Sequence, residues 1–191
     1  MKVDSFGQAP LLFLEVAKIL KKRNISYAII GAFAASFYGV IRASVDIDAI
    51  ISIEKIASNI NGFIEDLKEP GYDITFRMGA QDDPVGAVIN VVDEYRNRVD
   101  LMMNIKAIDD DVFKRSVRAA FMDQNINIVG LEDFITMKIF AGSSKDLNDV
   151  KGVLEVSGGN LNIKLLKDLL VKQGNEAIKT LDNLLREYYA K

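Results

Sequence analysis

Apolar residues recur at helical spacing over 10–23, where Leu11, Leu14, Val16, Ala17, Ile19 and Leu20 form one stripe and Lys21-Lys22-Arg23 favour the C-terminal end. The period then changes. Residues 27–30 read as a short buried strand broken at Gly31, 32–38 as a short helix ending near Gly39, and 45–51 as a second strand. A helix is expected over 54–67, stopped by Pro70-Gly71, then a strand over 73–78 and a loop over 81–86. Residues 87–92 and 98–103 pair as a hairpin, 109–118 read as helix and 126–129 as a short strand. From Leu131 the pattern is helical, over 131–141, 145–156, 161–171 and 177–189, punctuated by Gly158-Gly159 and Gly174. The expectation is an α+β protein: a mixed α/β sheet unit over 1–130, with a C-terminal helical region over 131–191 packed on it. No internal repeat is visible, and the opening strand–helix–strand lacks the G-x-G-x-x-G of a dinucleotide-binding unit.

Within the second strand, Asp46-Ile47-Asp48 places two carboxylates on one face while Ile47 turns inward. Two carboxylates side by side on a rigid strand suit Mg²⁺, a hard cation that takes oxygen ligands and completes its shell with substrate phosphates. That points to metal-assisted phosphoryl chemistry. A D-x-D is common by chance, and the chain holds its own control in Asp109-Asp110-Asp111, where Asp109 or Asp110 reads as a cap or first-turn charge of a helix. Asp46 and Asp48 differ in context, with Val45, Ile47, Ile50 and Ile51 flanking them and a glycine turn one element upstream.

Composition narrows the chemistry. The 191 residues are 49% hydrophobic and 27% charged, which is ordinary for a globular chain. There is no cysteine and no histidine, so disulfides, thiolate nucleophiles, Cys/His zinc sites and histidine acid–base catalysis are excluded. A net charge of −3 argues against a large nucleic-acid footprint. The first residues carry no signal pattern and no apolar run approaches a membrane span, so a cytoplasmic protein with no membrane partner is expected.

The combination of Gly31-Ala32-x-Ala34, Gly39-x-x-Arg42-x-Ser44 and Asp46-Ile47-Asp48 resembles the signature of the DNA polymerase β-like nucleotidyltransferase superfamily. It is similar in particular to small prokaryotic members, including AbiEii toxin-like proteins. The likeness extends over about 27–155: Asp100 in Arg98-Val99-Asp100 matches the family's third carboxylate, and 131–138 and Lys145-Asp146-x-x-Asp149 match downstream elements. Ala32 stands where relatives usually have Gly or Ser, and Ser143-Ser144 where they often have Arg.

The resemblance implies the nucleotidyltransferase fold and a transfer of nucleoside monophosphate from a nucleotide triphosphate to a hydroxyl-bearing acceptor, with release of pyrophosphate. Asp46, Asp48 and Asp100 would be catalytic and hold two Mg²⁺ ions, or Mn²⁺ in their place. Gly31 and Ala32 would let backbone N–H groups meet the phosphates, and Arg42, Ser44, Lys138 and Lys145 would bind the nucleotide, ATP among the candidates. The acceptor, a small molecule, a tRNA end or a protein side chain, is open. So are two other readings: a non-catalytic nucleotide- or partner-binding member of the fold, and the toxin of a toxin–antitoxin pair with a cognate antitoxin as partner. Several residues have structural rivals. Asp100 could be an edge-strand carboxylate paired with Arg98, Arg42 a clamp on Asp46 and Asp48, and Lys138 a residue snorkelling to the surface. Asp146 and Asp149 read as structural, and Phe37 and Tyr38 as core.

Overall fold

We describe residues 3–189, apart from 55 and 107, of a computed structural model of the chain. The elements run α1 (Ala9–Lys22), β1 (Tyr27–Ile29), α2 (Gly31–Phe37), β2 (Asp46–Ile51), α3 (Ile60–Lys68), β3 (Asp73–Met78), β4 (Val85–Val92) and β5 (Arg98–Ile105). They continue with α4 (Val112–Arg115), β6 (Val117–Phe121), β7 (Gln124–Ile128), α5 (Leu131–Ala141), α6 (Ser144–Ser157), α7 (Ile163–Val171) and α8 (Asn175–Tyr189). The seven strands form one mixed sheet in the order β3-β4-β5-β2-β1-β7-β6. β2 lies parallel to β5 and β1 parallel to β7, while the other neighbours are antiparallel.

The two faces of the sheet follow from alternation. Tyr27 and Ile29 of β1 stand opposite Ile51 and Ala49 of β2, so they share the face of Ile47. The ring of Phe13 on α1 packs edge-on against Tyr27 at 5.4 Å, which puts α1 on that face. Its stripe of Leu12, Phe13, Val16 and Leu20 is fully buried there, with Ile47, Val99 and Leu101 in the same core. The carboxylates of β2 consequently look out of the opposite face. The buried cluster continues without a break into the helical half through Phe134, Val150, Leu166 and Leu181.

Three expected elements come out differently. The helix over 54–67 is confined to Ile60–Lys68, where the side chain of Asn59 accepts the amide of Gly62 and sets the start; Lys55, in the expected first turn, lies outside the described residues. The helix over 109–118 shrinks to Val112–Arg115. Asp109 caps nothing and instead pairs with Arg115, at 2.7 Å, and with Lys172. Residues 117–121, read as helix and loop, form β6, which closes a hairpin with β7 at the sheet edge through Met122 at φ 54°. The helix-favouring Arg118-Ala119-Ala120 hid that strand, and ladder pairing overrode their propensity. Among the described residues no helix is long and apolar enough to cross a membrane; Met1 and Lys2, the start of the segment read for a signal, lie outside them.

Candidate active site

Parallel pairing of β2 with β5 sets Asp46 beside Arg98 and Asp48 beside Asp100, all on the face away from α1. Antiparallel pairing of β5 with β4 adds Asn90 next to Asp100. Asp100 is buried on an interior strand rather than at an edge. Arg98 grips it from two sides, Nε to Oδ1 at 2.6 Å and Nη2 to Oδ2 at 2.6 Å, while the Asn90 amide donates to Oδ1 at 2.7 Å. The pairing with Arg98 expected for an edge carboxylate therefore exists, but within the carboxylate cluster. Such a bidentate, charge-assisted contact also holds the Arg98 guanidinium above its usual pKa.

Among the described residues Asp48 has no such partner. Burial first, and then the charges of Asp46 and Asp100, push its carboxyl up to about 6, against weaker relief from Arg98 and Lys138. Gly31 makes this packing feasible. The amide of Ile30 donates to the Asp48 carbonyl at 2.9 Å, the chain turns at Gly31 with φ 65°, and a Cβ there would lie 2.3 Å from Asp48 Oδ2. Glycine is required twice over, by backbone conformation and by the carboxylate against it. Ser44 Oγ donates to Asp46 Oδ1 at 2.5 Å from the loop that follows α2.

That loop is fastened to α6. Gly39, at φ 93°, lies where a Cβ would strike Val156, and Arg42 Nη1 reaches Asp149 Oδ2 at 2.5 Å. Arg42 thus clamps neither Asp46 nor Asp48, and its buried Nε has no acceptor among the described residues. α5 ends at Gly142 in the left-handed conformation, and this break turns α6 back so that the two helices pack together. Lys138 does not snorkel. It is 8% exposed, and its Nζ sits 2.8 Å from Asp146 and 2.7 Å from Asp149. Asp149, 4% exposed, is shared by Arg42 and Lys138. Burial works to raise Asp146, but hydrogen bonds from Lys138 and Ser143 outweigh it and hold the carboxyl below its ordinary value.

A cavity of about 530 Å³ opens between these parts, and Gly31, Ala32, Arg42, Ser44, Asp46, Asp48, Lys138 and Lys145 all line it. Asp100 stands behind Asp48 on the neighbouring strand. Lys145 is exposed and makes no ion pair among the described residues. Tyr38 is held by its hydroxyl, which donates to the Val129 carbonyl at 2.6 Å, whereas Phe37, read as core, is 44% exposed. Sequence reasoning passed over Asn90, although a lone amide inside Val88-Ile89-Asn90-Val91-Val92 is a visible signal. Asp146 and Asp149, read as structural, seat Lys138 and Arg42 through the fold-back at Gly142.

The donors suit a hard cation: carboxylate oxygens, a hydroxyl, and one carboxyl raised by burial and by its negative neighbours. Among the described residues no three such side chains converge closely enough to hold an ion unaided. An ion placed there would need oxygens from a ligand beside the carboxylates.

Comparison with known proteins agrees in fold. A family model described as nucleotidyl transferase of unknown function (DUF2204) matches residues 11–187. An antigenic nucleotidyltransferase-like protein from Paracoccidioides brasiliensis superposes with a TM-score of 0.60 at 16% identity, covering 97% of this chain and 91% of that one. ANT(2")-Ia, solved in complex with adenylyl-2"-tobramycin, gives 0.53 at 15% identity over 83% of this chain and 92% of its own. The Megavirus polyadenylate synthase gives 0.50 at 10% identity, with 78% of this chain matched to 31% of that larger one. No curated protein sequence matches the chain.

Proposed function

The chain belongs to the nucleotidyl transferases of unknown function (DUF2204), and on that premise we propose that it moves a nucleoside monophosphate from a nucleotide triphosphate, ATP being the first to test, to a hydroxyl-bearing acceptor. One observation carries this reading. Asp46 and Asp48 share a cavity with the Gly31 turn and with three cations, Arg42, Lys138 and Lys145, while Asp100 stands in register behind Asp48.

Each residue has a part that its position can perform. The cations would take the charge of the triphosphate and of the departing pyrophosphate, Arg42 with a directional fork and the lysines as point charges. Gly31 and Ala32 line the cavity at the start of α2, where backbone amides that lack intrahelical partners would meet phosphate oxygens. Ser44 orients Asp46. Asp46, Asp48 and Asp100 would hold Mg²⁺ or Mn²⁺ in a two-metal arrangement, which when bound lowers the pKa of the attacking hydroxyl and neutralises phosphate charge. Asp100 would accept the hydroxyl's proton, and Arg98 and Asn90 hold it in orientation for that task. In the fold neighbour ANT(2")-Ia the bound adenylyl-2"-tobramycin joins a nucleotide to an acceptor, an outcome of the same kind.

The test is transfer of label. Incubated with Mg²⁺, cell extract and each α-labelled nucleotide triphosphate in turn, the protein should move label onto an acceptor, while the double variant Asp46→Asn/Asp48→Asn should not. Equal labelling by both proteins would overturn the reading.

A further inference from the structure

A second cavity, of about 400 Å³, adjoins the first and has the opposite character. The two share Gly31, Asp48, Lys138 and Asp146, so they meet at the carboxylate that lies against the glycine turn. Beyond that junction the walls are apolar: Val85, Met102 and Ile105 from the sheet, and Phe134, Met137 and Phe140 from α5. Its volume lies in the range of small-molecule sites, about 300–1,000 Å³. We propose that this chamber is the acceptor site, and that the acceptor is a small molecule whose hydroxyl is carried on an apolar, ring-sized body.

This inference rests on the nucleotidyl-transfer reading above and names the substrate class it would serve. Three observations select the occupant. First, the chamber lies along the strand of the third carboxylate: Met102 follows Asp100 by two residues on β5 and shares its face. An acceptor lying on Met102 would bring its hydroxyl to Asp48, which both cavities share, with Asp100 beside it on β5.

Second, apart from the shared residues the lining offers no polar side chain, only Ile30, Pro84 and Ala141 besides the six named. A nucleobase seated here would bury ring nitrogens and exocyclic groups with no side chain of the apolar walls to meet them, and each group left unpaired weakens binding. An apolar body loses nothing there. Third, among the described residues the chamber's one cation is Lys138, which stands at the junction shared with the first cavity, so a polynucleotide end would find no positive charge along the apolar walls. Two methionines in the wall give it adaptability to ring shape.

In the transfer, the acceptor's hydroxyl oxygen bonds to the α-phosphorus and the bond from that phosphorus to the pyrophosphate oxygen breaks. The electron pair leaves with pyrophosphate, and the hydroxyl proton passes to Asp100.

The test uses the full chain with ¹³C-methyl methionine and 2-naphthylmethanol as probe, titrated alone and with saturating Mg²⁺ plus ATP, GTP, CTP or UTP. The expected result is a saturable shift of the Met102 and Met137 methyl signals, with Met78 and Met122, both exposed, unmoved. The probe's affinity should change by less than about twofold when the nucleotide is present. Met137→Trp, which fills the chamber, should abolish the Met102 shift; Ile105→Phe does so from the sheet side if α5 rejects the indole. Displacement of the probe by nucleotide would show the chamber to be the base's site and overturn the proposal, as would the absence of any shift. If no nucleotide binds, the transfer reading fails and the acceptor role with it. The probe-alone titration separates that case from failure of the chamber itself.

Discussion

Replacing Asp48 with Asn should stabilise the nucleotide-free protein, and by an amount that depends on pH. The carboxyl of Asp48 rises from 3.8 to about 6 because it is largely buried and faces Asp46 and Asp100. The folded state therefore holds this proton more tightly than the unfolded chain does. Below about pH 4 both states are protonated and the residue carries no electrostatic penalty. Between about pH 4 and 6 the penalty grows as the proton is lost, and above 6 it is complete. At ~1.4 kcal/mol per pH unit, the rise corresponds to about 3 kcal/mol, and 2–3 kcal/mol is expected with partial solvation. Asn keeps the shape and removes the charge. With a urea dependence of ~2–3 kcal/mol per molar, the midpoint of Asp48→Asn should exceed that of wild type by about 1 M at pH 7.5 in chelator. The two should converge at pH 4. Saturating Mg²⁺ with nucleotide should narrow the gap at pH 7.5, because the cation relieves the wild-type carboxylate alone. Coincident midpoints at pH 7.5 and pH 4 would refute the claim that like charge and burial set this residue's behaviour.

Four further outcomes follow from the same geometry. Gly31→Ala forces a Cβ to within 2.3 Å of Asp48 Oδ2 at a left-handed φ; a loss of about 1–3 kcal/mol in denaturant unfolding is expected, and an unchanged midpoint would show that the turn can relax. Asp100→Asn should abolish transfer yet leave triphosphate affinity by calorimetry nearly intact, and a loss of affinity comparable to that of Asp48→Asn would remove this division of labour. Mg²⁺ or Mn²⁺ should bind weakly alone and far better with a nucleotide triphosphate; calorimetry on wild type and Asp46→Asn/Asp48→Asn decides, since equal binding by both would clear the carboxylates of the role. Asp149→Ala leaves Arg42 and Lys138 without their shared buried partner and should cost about 3–5 kcal/mol, checked by thermal or urea unfolding, whereas a near-neutral result would mean that Asp146 alone suffices.

Local pattern was enough for much of this protein. Period-2 apolar residues around Asp46-Ile47-Asp48 made a strand with both carboxylates on one face, and a glycine one element earlier marked a tight turn, because alternation and positive φ are properties of neighbouring residues. The absence of histidine and cysteine limited the donors to oxygen. The mixed α/β fold was legible in the same way. Tertiary structure decided what depends on partners distant in the chain. Asp100 meets Asp48 only because β5 runs parallel to β2 in one register, and a slip of one residue would turn it into the core. Gly31 owes its second constraint to a side chain 17 positions away. Lys138 could have snorkelled on an isolated helix, but the turn at Gly142 brings Asp146 and Asp149 over it, and a buried ammonium stays where its carboxylates are. β6 was invisible because Arg118-Ala119-Ala120 has no strand preference of its own; pairing with β7 supplies it. The division between a polar and an apolar cavity at Asp48 belongs to the same class, since it arises from α5 lying across the sheet and leaves no trace in the spacing of any one segment.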